Sequence, residues 1–321
     1  MGAEFYRPVD TPLGWTAGGT RLVYLHEERY SQEDAHDVTC GNSGIYDTDG
    51  RSPPRPLVTG PAWCDTGGSA ALAADGRTVV SARGHGDQEC GELRALDLPT
   101  RVWTTLARTC AAYLEDPVPS PTGDVVAVRL SCGLVSGGGE RTHFTPAGCR
   151  DWPTPAWRLM RLDGTGAQPF GQEGDREVAW APDGRRVAVT VARGGGGIDV
   201  VERASGRRAR LADGVDPAWS PDGRWIAFVH FDSRSTVLRV IGADGSGGRV
   251  VFTNRDRGRY SNGWGKTREG MPSHPVWSPD GRRLVFVRNY RTGFTLWSVD
   301  VDGRNLRRIA PILPPGESTR D

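Results

Sequence analysis

Lysine is nearly absent from this chain: Lys266 stands alone, and arginine supplies the rest of the 40 basic residues. The formal net charge is only +1, so no general positive field would recruit nucleic acid or an anionic membrane surface. The sequence has no apolar stretch long enough to span a membrane, and its first residues lack the charged and apolar regions of a signal peptide. We therefore expect no transmembrane segment and no nucleic-acid partner.

The sequence also lacks several motifs that would identify an enzyme. It has no Gly-x-Ser-x-Gly nucleophile elbow and no His-x-x-x-His pair. The glycine run 137–139 is not followed by the Lys-Ser/Thr and helix of a phosphate-binding loop. These absences exclude the commonest hydrolase, metalloprotease and nucleotide-binding signatures.

What the chain does contain is a repeat. Six times, an aromatic or large apolar residue precedes a tight turn resembling Ser-Pro-Asp-Gly, then a basic or polar residue and a run of β-formers. The six copies of this cassette begin at Trp15, Leu72, Pro119, Trp180, Trp219 and Trp277. A unit of this size cannot bury its own apolar face, so neighbouring units have to stack.

The repeat predicts an all-β fold, a six-bladed β-propeller of four-stranded antiparallel blades that forms a single domain over 1–321. Strand A of each blade ends at the cassette aromatic, and strand B follows the turn. The predicted B strands are 21–25, 78–82, 125–130, 186–191, 225–230 and 283–288. The B-to-C loops and D-to-A connections then share one side of the molecule, the loop face, and the tight A-to-B and C-to-D turns share the other, the turn face.

Two copies of the cassette carry a resemblance to a known family. The segments Pro217–Arg224 and Pro275–Arg282 read PAWSPDGR and PVWSPDGR, and they resemble the repeat of TolB-like β-propellers, which that family builds into six blades. The resemblance extends from about Pro12 to Ile309. It implies the fold but not the function, because the same repeat occurs in periplasmic scaffold proteins, polysaccharide lyases and prolyl-oligopeptidase-like peptidases. We expect a propeller alone, without the N-terminal domain of TolB and without a peptidase domain.

All six cysteines lie in the first half of the chain. By the blade geometry, consecutive cysteines fall in loops at one edge of one blade. The predicted disulfides are Cys40–Cys64, Cys90–Cys110 and Cys132–Cys149. Loops of this size would stabilise the fold by roughly 3 kcal/mol each. Disulfides would place the protein outside the cytoplasm, whereas six reduced cysteines would be compatible with a cytosolic one.

The loop face is the expected working face, because the long loops and every histidine are predicted to lie there. Three residues before each cassette aromatic, consecutive blades carry Asp116, Glu177, Asp216 and His274. These side chains would ring the mouth of the central channel, with His230 nearby, and could bind a divalent cation such as Ca²⁺, Mn²⁺ or Zn²⁺. The alternative is that they accept hydrogen bonds from neighbouring backbone groups or from an arginine and so hold blade against blade.

One loop between blades 5 and 6 is basic and contains two aromatic residues. Its candidate ligand-binding residues are Arg257, Arg259, Tyr260, Trp264 and Lys266. Such a composition suits an acidic sugar, a carboxylate or an acidic protein surface. The alternative is that the loop pairs with the acidic loop of blade 1, its neighbour once the ring closes.

The sequence therefore favours a non-catalytic, extracytoplasmic or secreted binding propeller, monomeric, that engages a protein or glycan through its loop face. The alternative is a lyase or hydrolase that acts on a carbohydrate or small molecule through a metal or acid/base site at the channel mouth.

Overall fold

The computed structural model describes residues 5–31, 43–59, 69–85, 90–109, 113–131, 157–192, 196–232, 235–255, 259–261, 266–268, 270–290 and 293–309. This part of the chain is all-β, with 26 strands and no helix. It contains no helix long and apolar enough to cross a membrane.

The strands fall into consecutive groups, here called units 1 to 6, each centred on one cassette. Unit 1 comprises β1 (Phe5–Trp15), β2 (Leu22–Ser31), β3 (Gly44–Thr48) and β4 (Arg55–Thr59). Unit 2 comprises β5 (Ser69–Leu72), β6 (Thr78–His85), β7 (Cys90–Asp97) and β8 (Val102–Thr109). Unit 3 comprises β9 (Tyr113–Pro119), β10 (Val125–Ser131), β11 (Trp157–Arg161) and β12 (Gln168–Phe170).

The second half of the chain continues the same pattern. Unit 4 comprises β13 (Asp175–Trp180), β14 (Arg186–Val191), β15 (Gly197–Glu202) and β16 (Arg208–Ala212). Unit 5 comprises β17 (Val215–Trp219), β18 (Trp225–Phe231), β19 (Ser235–Gly242) and β20 (Arg249–Arg255). A hairpin of β21 (Arg259–Ser261) and β22 (Lys266–Arg268) follows. Unit 6 comprises β23 (Met271–Trp277), β24 (Arg283–Tyr290), β25 (Gly293–Asp300) and β26 (Arg307–Arg308).

The cassette explains where strand A of each unit, here called the inner strand, ends and where strand B begins. In unit 5, the Ser220 hydroxyl donates to Asp222 Oδ1 over 2.6 Å and accepts the Trp225 N–H over 2.9 Å. Gly223 completes the turn with φ of 69°, a left-handed conformation that glycine adopts without steric cost. Unit 6 repeats these contacts through Ser278, and so its strands reverse in the same way.

Units 2 to 5 are each a four-stranded antiparallel sheet with the strands in chain order, as the repeat predicted. Units 6 and 1 belong to one eight-stranded sheet, because β1 meets β25 in a parallel bridge between Val9 and Phe294. Units 6 and 1 are therefore joined both by this strand pairing and by packing of apolar side chains.

The apolar core lies between the units rather than within them. Each hydrophobic cluster among the described residues joins two neighbouring units. One of them joins unit 6 to unit 1 and contains the buried residues Tyr24, Leu296 and Ile309. The inner strands also contact one another in sequence, β1 with β5, β5 with β9, β9 with β13, β13 with β17, β17 with β23, and β23 with β1.

One prediction about the first unit was wrong. β2 extends to Ser31, beyond the predicted end at residue 25, because it pairs along its whole length with the long strand β1. His26 therefore lies inside a strand, 1% exposed, with its Nδ1 2.6 Å from Asp10 Oδ1. This histidine belongs to the buried interior of unit 1 and not to an exposed loop.

Candidate functional site

The position three residues before the cassette aromatic is an irregular point of the inner strand. Asp116, Asp216 and His274 have φ of 49°, 53° and 49°, and the strand register shifts beside each of them. All three precede a proline, which has no N–H to donate to the strand ladder. Glu177, at the same position in unit 4, precedes a valine and does not have a positive φ.

Asp116 belongs to a polar group that links units 2 and 3. Its backbone N–H donates to Ser69 Oγ over 2.6 Å, so the equivalent positions of the two units are joined directly. Its carboxylate accepts Arg129 Nε over 2.8 Å, and the same guanidinium lies 2.8 Å from Glu115 Oε2. The Asp116 carboxylate is therefore held by an arginine of its own sheet.

Glu177, Asp216 and His274 form a second group, contributed by units 4, 5 and 6. The His274 N–H donates to Asp216 Oδ2 over 3.1 Å. The Glu177 side chain is exposed, but nearby protein atoms partly desolvate it. This desolvation is the largest cause of a raised pKa of Glu177, and the nearby Asp216 carboxylate raises that pKa further. His274 is close enough to oppose that shift. The group combines an acid with a raised pKa, a second carboxylate and an imidazole.

These contacts separate the four residues predicted to bind a cation. Nowhere in the described ranges do three histidine, cysteine, aspartate or glutamate side chains come close enough to hold a metal ion. Asp116 is engaged with Arg129, while the other three lie together around Asp216. The Asp116 carboxylate has an arginine as its partner and the Asp216 carboxylate a neighbouring backbone N–H, the two kinds of partner that the alternative interpretation names.

His230 occupies a different place. It lies near the end of β18, and its Nδ1 is 2.8 Å from the carbonyl oxygen of Asp213 in the connection between units 4 and 5. The Asp213 carboxylate is paired with Arg210 over 2.8 Å. His230 therefore contacts the entry to unit 5 rather than the group around Asp216.

The basic loop is described only in part. Arg259 and Tyr260 lie in β21 and Lys266 lies in β22, with Tyr260 opposite Thr267. The side chains of this hairpin, together with Arg257 and Trp264, lie outside the described residues. The hairpin connects the end of β20 to the start of β23, and thus belongs to the loop face.

The disulfide prediction also falls largely outside the described part of the chain. Cys90 begins β7, but its side chain is not described. The remaining five positions, Cys40, Cys64, Cys110, Cys132 and Cys149, are outside the described ranges. All three pairings stay predictions.

Sequence reasoning missed a cavity on the turn face. A groove of about 900 Å³ separates units 3 and 4, and its lining includes Arg161, Arg185, Arg186 and Arg203. A smaller cavity of about 330 Å³, lined in part by Trp15 and Arg283, occupies the corresponding place between units 6 and 1. The consecutive residues Arg185 and Arg186 after the unit 4 turn could have indicated a charged surface there, but the sequence predicts only tight turns on the turn face.

Comparison with known proteins gives a partial match in sequence and a broad match in fold. No family model matches the chain. The Tol-Pal system protein TolB of Anaeromyxobacter dehalogenans is 34% identical over 109 residues, which is 30% of this chain and 24% of that protein. The chain thus aligns with about a quarter of the length of the curated relatives it matches.

Two solved structures have similar architecture over most of the chain. TolB from Acinetobacter baumannii matches 96% of this chain and 65% of its own, with a TM-score of 0.60 and 16% identity. An oligogalacturonate lyase in complex with manganese matches 92% of this chain and 90% of its own, with a TM-score of 0.55 and 15% identity. At these identities the likeness concerns the fold alone.

Proposed function

We propose that this chain, a β-propeller built from TolB-like repeats, has six blades and acts as a non-catalytic binding module that engages a protein or a glycan through its loop face. The blade count is supported by the cyclic contacts of the inner strands and by the core cluster between units 6 and 1. In this proposal the eight-stranded sheet is two blades joined by the β1–β25 bridge.

The binding role is supported by the contacts that the Asp116 and Asp216 carboxylates make. Asp116 is held by Arg129, and Asp216 accepts the His274 N–H of the next unit. Side chains engaged in this way stabilise the ring, because each joins neighbouring strands or neighbouring units. The loop face then remains the surface for recognition, with the basic β21–β22 hairpin as its best candidate.

A photo-crosslinking experiment tests the role of the loop face. A benzoylphenylalanine at Tyr260 is compared with one at Val102, an exposed residue that follows a turn-face loop. We expect Tyr260 to yield a discrete adduct in an extracytoplasmic fraction of the source organism, and the Arg259→Gln/Lys266→Gln variant to lose it. An adduct of equal yield from Val102, or none from Tyr260, would contradict the proposal.

The location outside the cytoplasm rests on the three predicted disulfides. Thiol titration of the denatured, unreduced protein should find no free thiol. Six free thiols would refute both the pairings and the proposed location.

A second function is supported by the group around Asp216. Glu177 has a raised pKa and lies near both a carboxylate and an imidazole, an arrangement suited to proton transfer. The alternative is therefore a lyase or hydrolase that acts on a carbohydrate or small molecule at the channel mouth, with or without a divalent cation.

Oligogalacturonate is the substrate to try first, since a protein of the same fold is a lyase for it. The alternative predicts turnover in the presence of Mn²⁺, Ca²⁺ or Zn²⁺ and its loss in Glu177→Gln, with Glu173→Gln as the exposed control. The binding proposal predicts no turnover and no stoichiometric metal in the purified protein.

A further inference from the structure

The groove between units 3 and 4 lies on the opposite side of the molecule from the proposed binding face. It opens beside the cassette turn of unit 4 and the turn that joins β11 to β12, which are both turn-face elements. Its volume of about 900 Å³ is within the range of ligand-binding clefts. We call it the unit 3–4 groove.

The carboxylates of this groove are already engaged. Asp124 accepts Arg203 over 2.8 Å and the hydroxyls of Ser120 and Thr122. Glu202 is paired with Arg207 and also accepts the Ser205 hydroxyl over 3.1 Å. These contacts lower the pKa of both Asp124 and Glu202, the pairing with an arginine being the largest cause in each case, so the two groups are ionised at neutral pH.

The arginines of the groove fall into two classes. Arg203 is fixed by Asp124 and lies over the Trp180 ring, with 5.6 Å from its guanidinium carbon to the ring centroid. Arg186 pairs with Asp183 over 3.3 Å and lies over the Trp219 ring at 4.8 Å. Among the described residues, neither the Arg161 nor the Arg185 guanidinium has a carboxylate within ion-pair distance, although both line the groove. Asp163 lies in the same turn as Arg161, and its pKa is lowered by hydrogen bonds from Thr165 and, to a smaller extent, by the Arg161 charge.

Two exposed guanidinium groups that form no ion pair with any described residue favour an anionic ligand, because arginine binds a carboxylate through two parallel hydrogen bonds. We propose that the unit 3–4 groove binds an acidic peptide segment of a partner protein, with Arg161 and Arg185 binding its carboxylates. Gln168 and the backbone beside Gly166 and Gly184 then face the peptide chain. Val125 and Leu159 supply a small apolar contact.

The lining favours a peptide over an acidic sugar. Sugar rings are commonly held against an exposed aromatic face, and none of the described residues that line the groove is aromatic. Two indoles, those of Trp180 and Trp219, lie beneath lining arginines, Arg203 and Arg186 respectively. An extended acidic peptide needs no aromatic platform, since charged contacts and backbone hydrogen bonds are sufficient to hold it.

The test is a fluorescence-anisotropy titration of the full chain with a short fluorescein-labelled oligoglutamate peptide. Arg161→Gln/Arg185→Gln should weaken binding by about tenfold or more for each arginine removed. The matched control is Arg224→Gln/Arg282→Gln, the exposed cassette arginines of units 5 and 6, which should leave the affinity unchanged. The melting temperature of the groove variant should equal that of the parent, because neither side chain makes an ion pair with a described residue and both are exposed.

Three results would overturn the proposal: no binding of the peptide, equal weakening by the groove and control variants, or tighter binding of oligogalacturonate than of the peptide in the same groove. The variant Arg259→Gln/Lys266→Gln separates this site from the loop face. If that variant alone abolishes binding, the peptide binds the basic hairpin, which refutes the groove and supports the loop-face function.

Discussion

At the scale of single residues, backbone strain marks the inner strands. Of the five non-glycine residues with positive φ in the described part of the chain, three precede the prolines of units 3, 5 and 6. A left-handed conformation costs an L-residue about 1 kcal/mol or more. The strand register also shifts at this position in unit 4, where valine follows Glu177, so the interruption of the ladder does not depend on proline. The contacts of Asp116 and His274 with the neighbouring unit show what holds these two residues in place.

The strain at His274 can be measured by comparing two substitutions. His274→Gly should be more stable than His274→Ala by about 1 kcal/mol, because both remove the imidazole and only alanine retains the steric cost of φ 49°. Urea denaturation of the two variants gives the difference in the free energy of unfolding.

Glu177 provides the matched control for this comparison. Its φ is not positive, so Glu177→Ala should be the more stable of the pair, by about 0.5–1 kcal/mol over Glu177→Gly. If the alanine variant is the more stable one at both positions, the left-handed backbone conformation at His274 is not strained.

A pH dependence is expected from Asp97, a partly exposed residue at the end of β7. Hydrogen bonds from Arg77 and from the Thr100 N–H lower the pKa of Asp97 to about 2. A carboxylate with a lowered pKa stabilises the folded state above its unfolded pKa, about 3.9, and this contribution is lost as the pH falls towards about 2.

Thermal melting of the parent and Asp97→Asn checks this prediction. The parent should melt at a higher temperature at pH 6, and the difference should shrink between about pH 4 and about pH 2. Because solvent screens the Asp97 carboxylate, the difference in melting temperature should be small. A difference that does not change with pH would mean that the carboxylate charge contributes nothing.

Sequence reasoning recognised equivalent positions in the repeat but did not identify their partners. Asp116 and Asp216 were recognised as equivalent because each stands three residues before a cassette aromatic or its equivalent. That Arg129 would bind one and the His274 N–H the other depends on how strands and units pack, which no local pattern encodes. Asp10 and His26 were missed for the same reason, since only the extended β1–β2 pairing brings them together.

At the scale of elements, the cassette turns also fit against one another. A Cβ at Gly76 would lie 2.7 Å from the Trp15 carbonyl oxygen and closer still to the Ala17 backbone nitrogen, both in the turn of unit 1. A Cβ at Gly223 would contact Pro182 of unit 4 at 3.6 Å. Gly281 has the same backbone conformation as Gly76, with φ of 68° against 63°, but no atom lies within 4 Å of its Cβ position.

This difference makes Gly76→Ala and Gly281→Ala a matched pair. Gly281→Ala should lose about 1 kcal/mol from backbone strain alone. Gly76→Ala should lose about 3 kcal/mol or more, because it also forces apart the turns of units 1 and 2. The free energies of unfolding from urea denaturation provide the comparison, and equal losses would mean that the two turns do not pack together.

The strands were predictable because the turn chemistry is local. The predicted strand over 186–191 coincides with β14, and each of the other B strands begins at or within one residue of its predicted first residue. Their far ends were less accurate, as β2 and β6 show by running past their predicted limits. A strand ends where its pairing ends, and the partner strand is not visible in a local pattern.

At the scale of the whole molecule, the contact between units 1 and 6 is the feature on which a closed ring of sheets depends. Tyr24 of unit 1 and Leu296 of unit 6 are buried in one cluster, and β1 pairs with β25. Ile309, the last described residue, packs in the same cluster. Residues near both described ends of the chain therefore contribute to the contact between units 1 and 6. The last strand, β26, has only two residues and pairs with β25.

The most direct test of the closed ring is a cross-link between the turns of units 1 and 6. The Cβ position of Gly19 lies 3.4 Å from Pro279 Cβ, close to the separation of a disulfide, whereas the Cβ position of Gly123 in unit 3 has no neighbour within 4 Å. Gly19→Cys/Pro279→Cys and the control Gly123→Cys/Pro279→Cys are oxidised mildly, and the linked peptides are identified by mass spectrometry. A closed ring predicts a 19–279 disulfide and no 123–279 disulfide; failure to form the first, or equal formation of both, would contradict it.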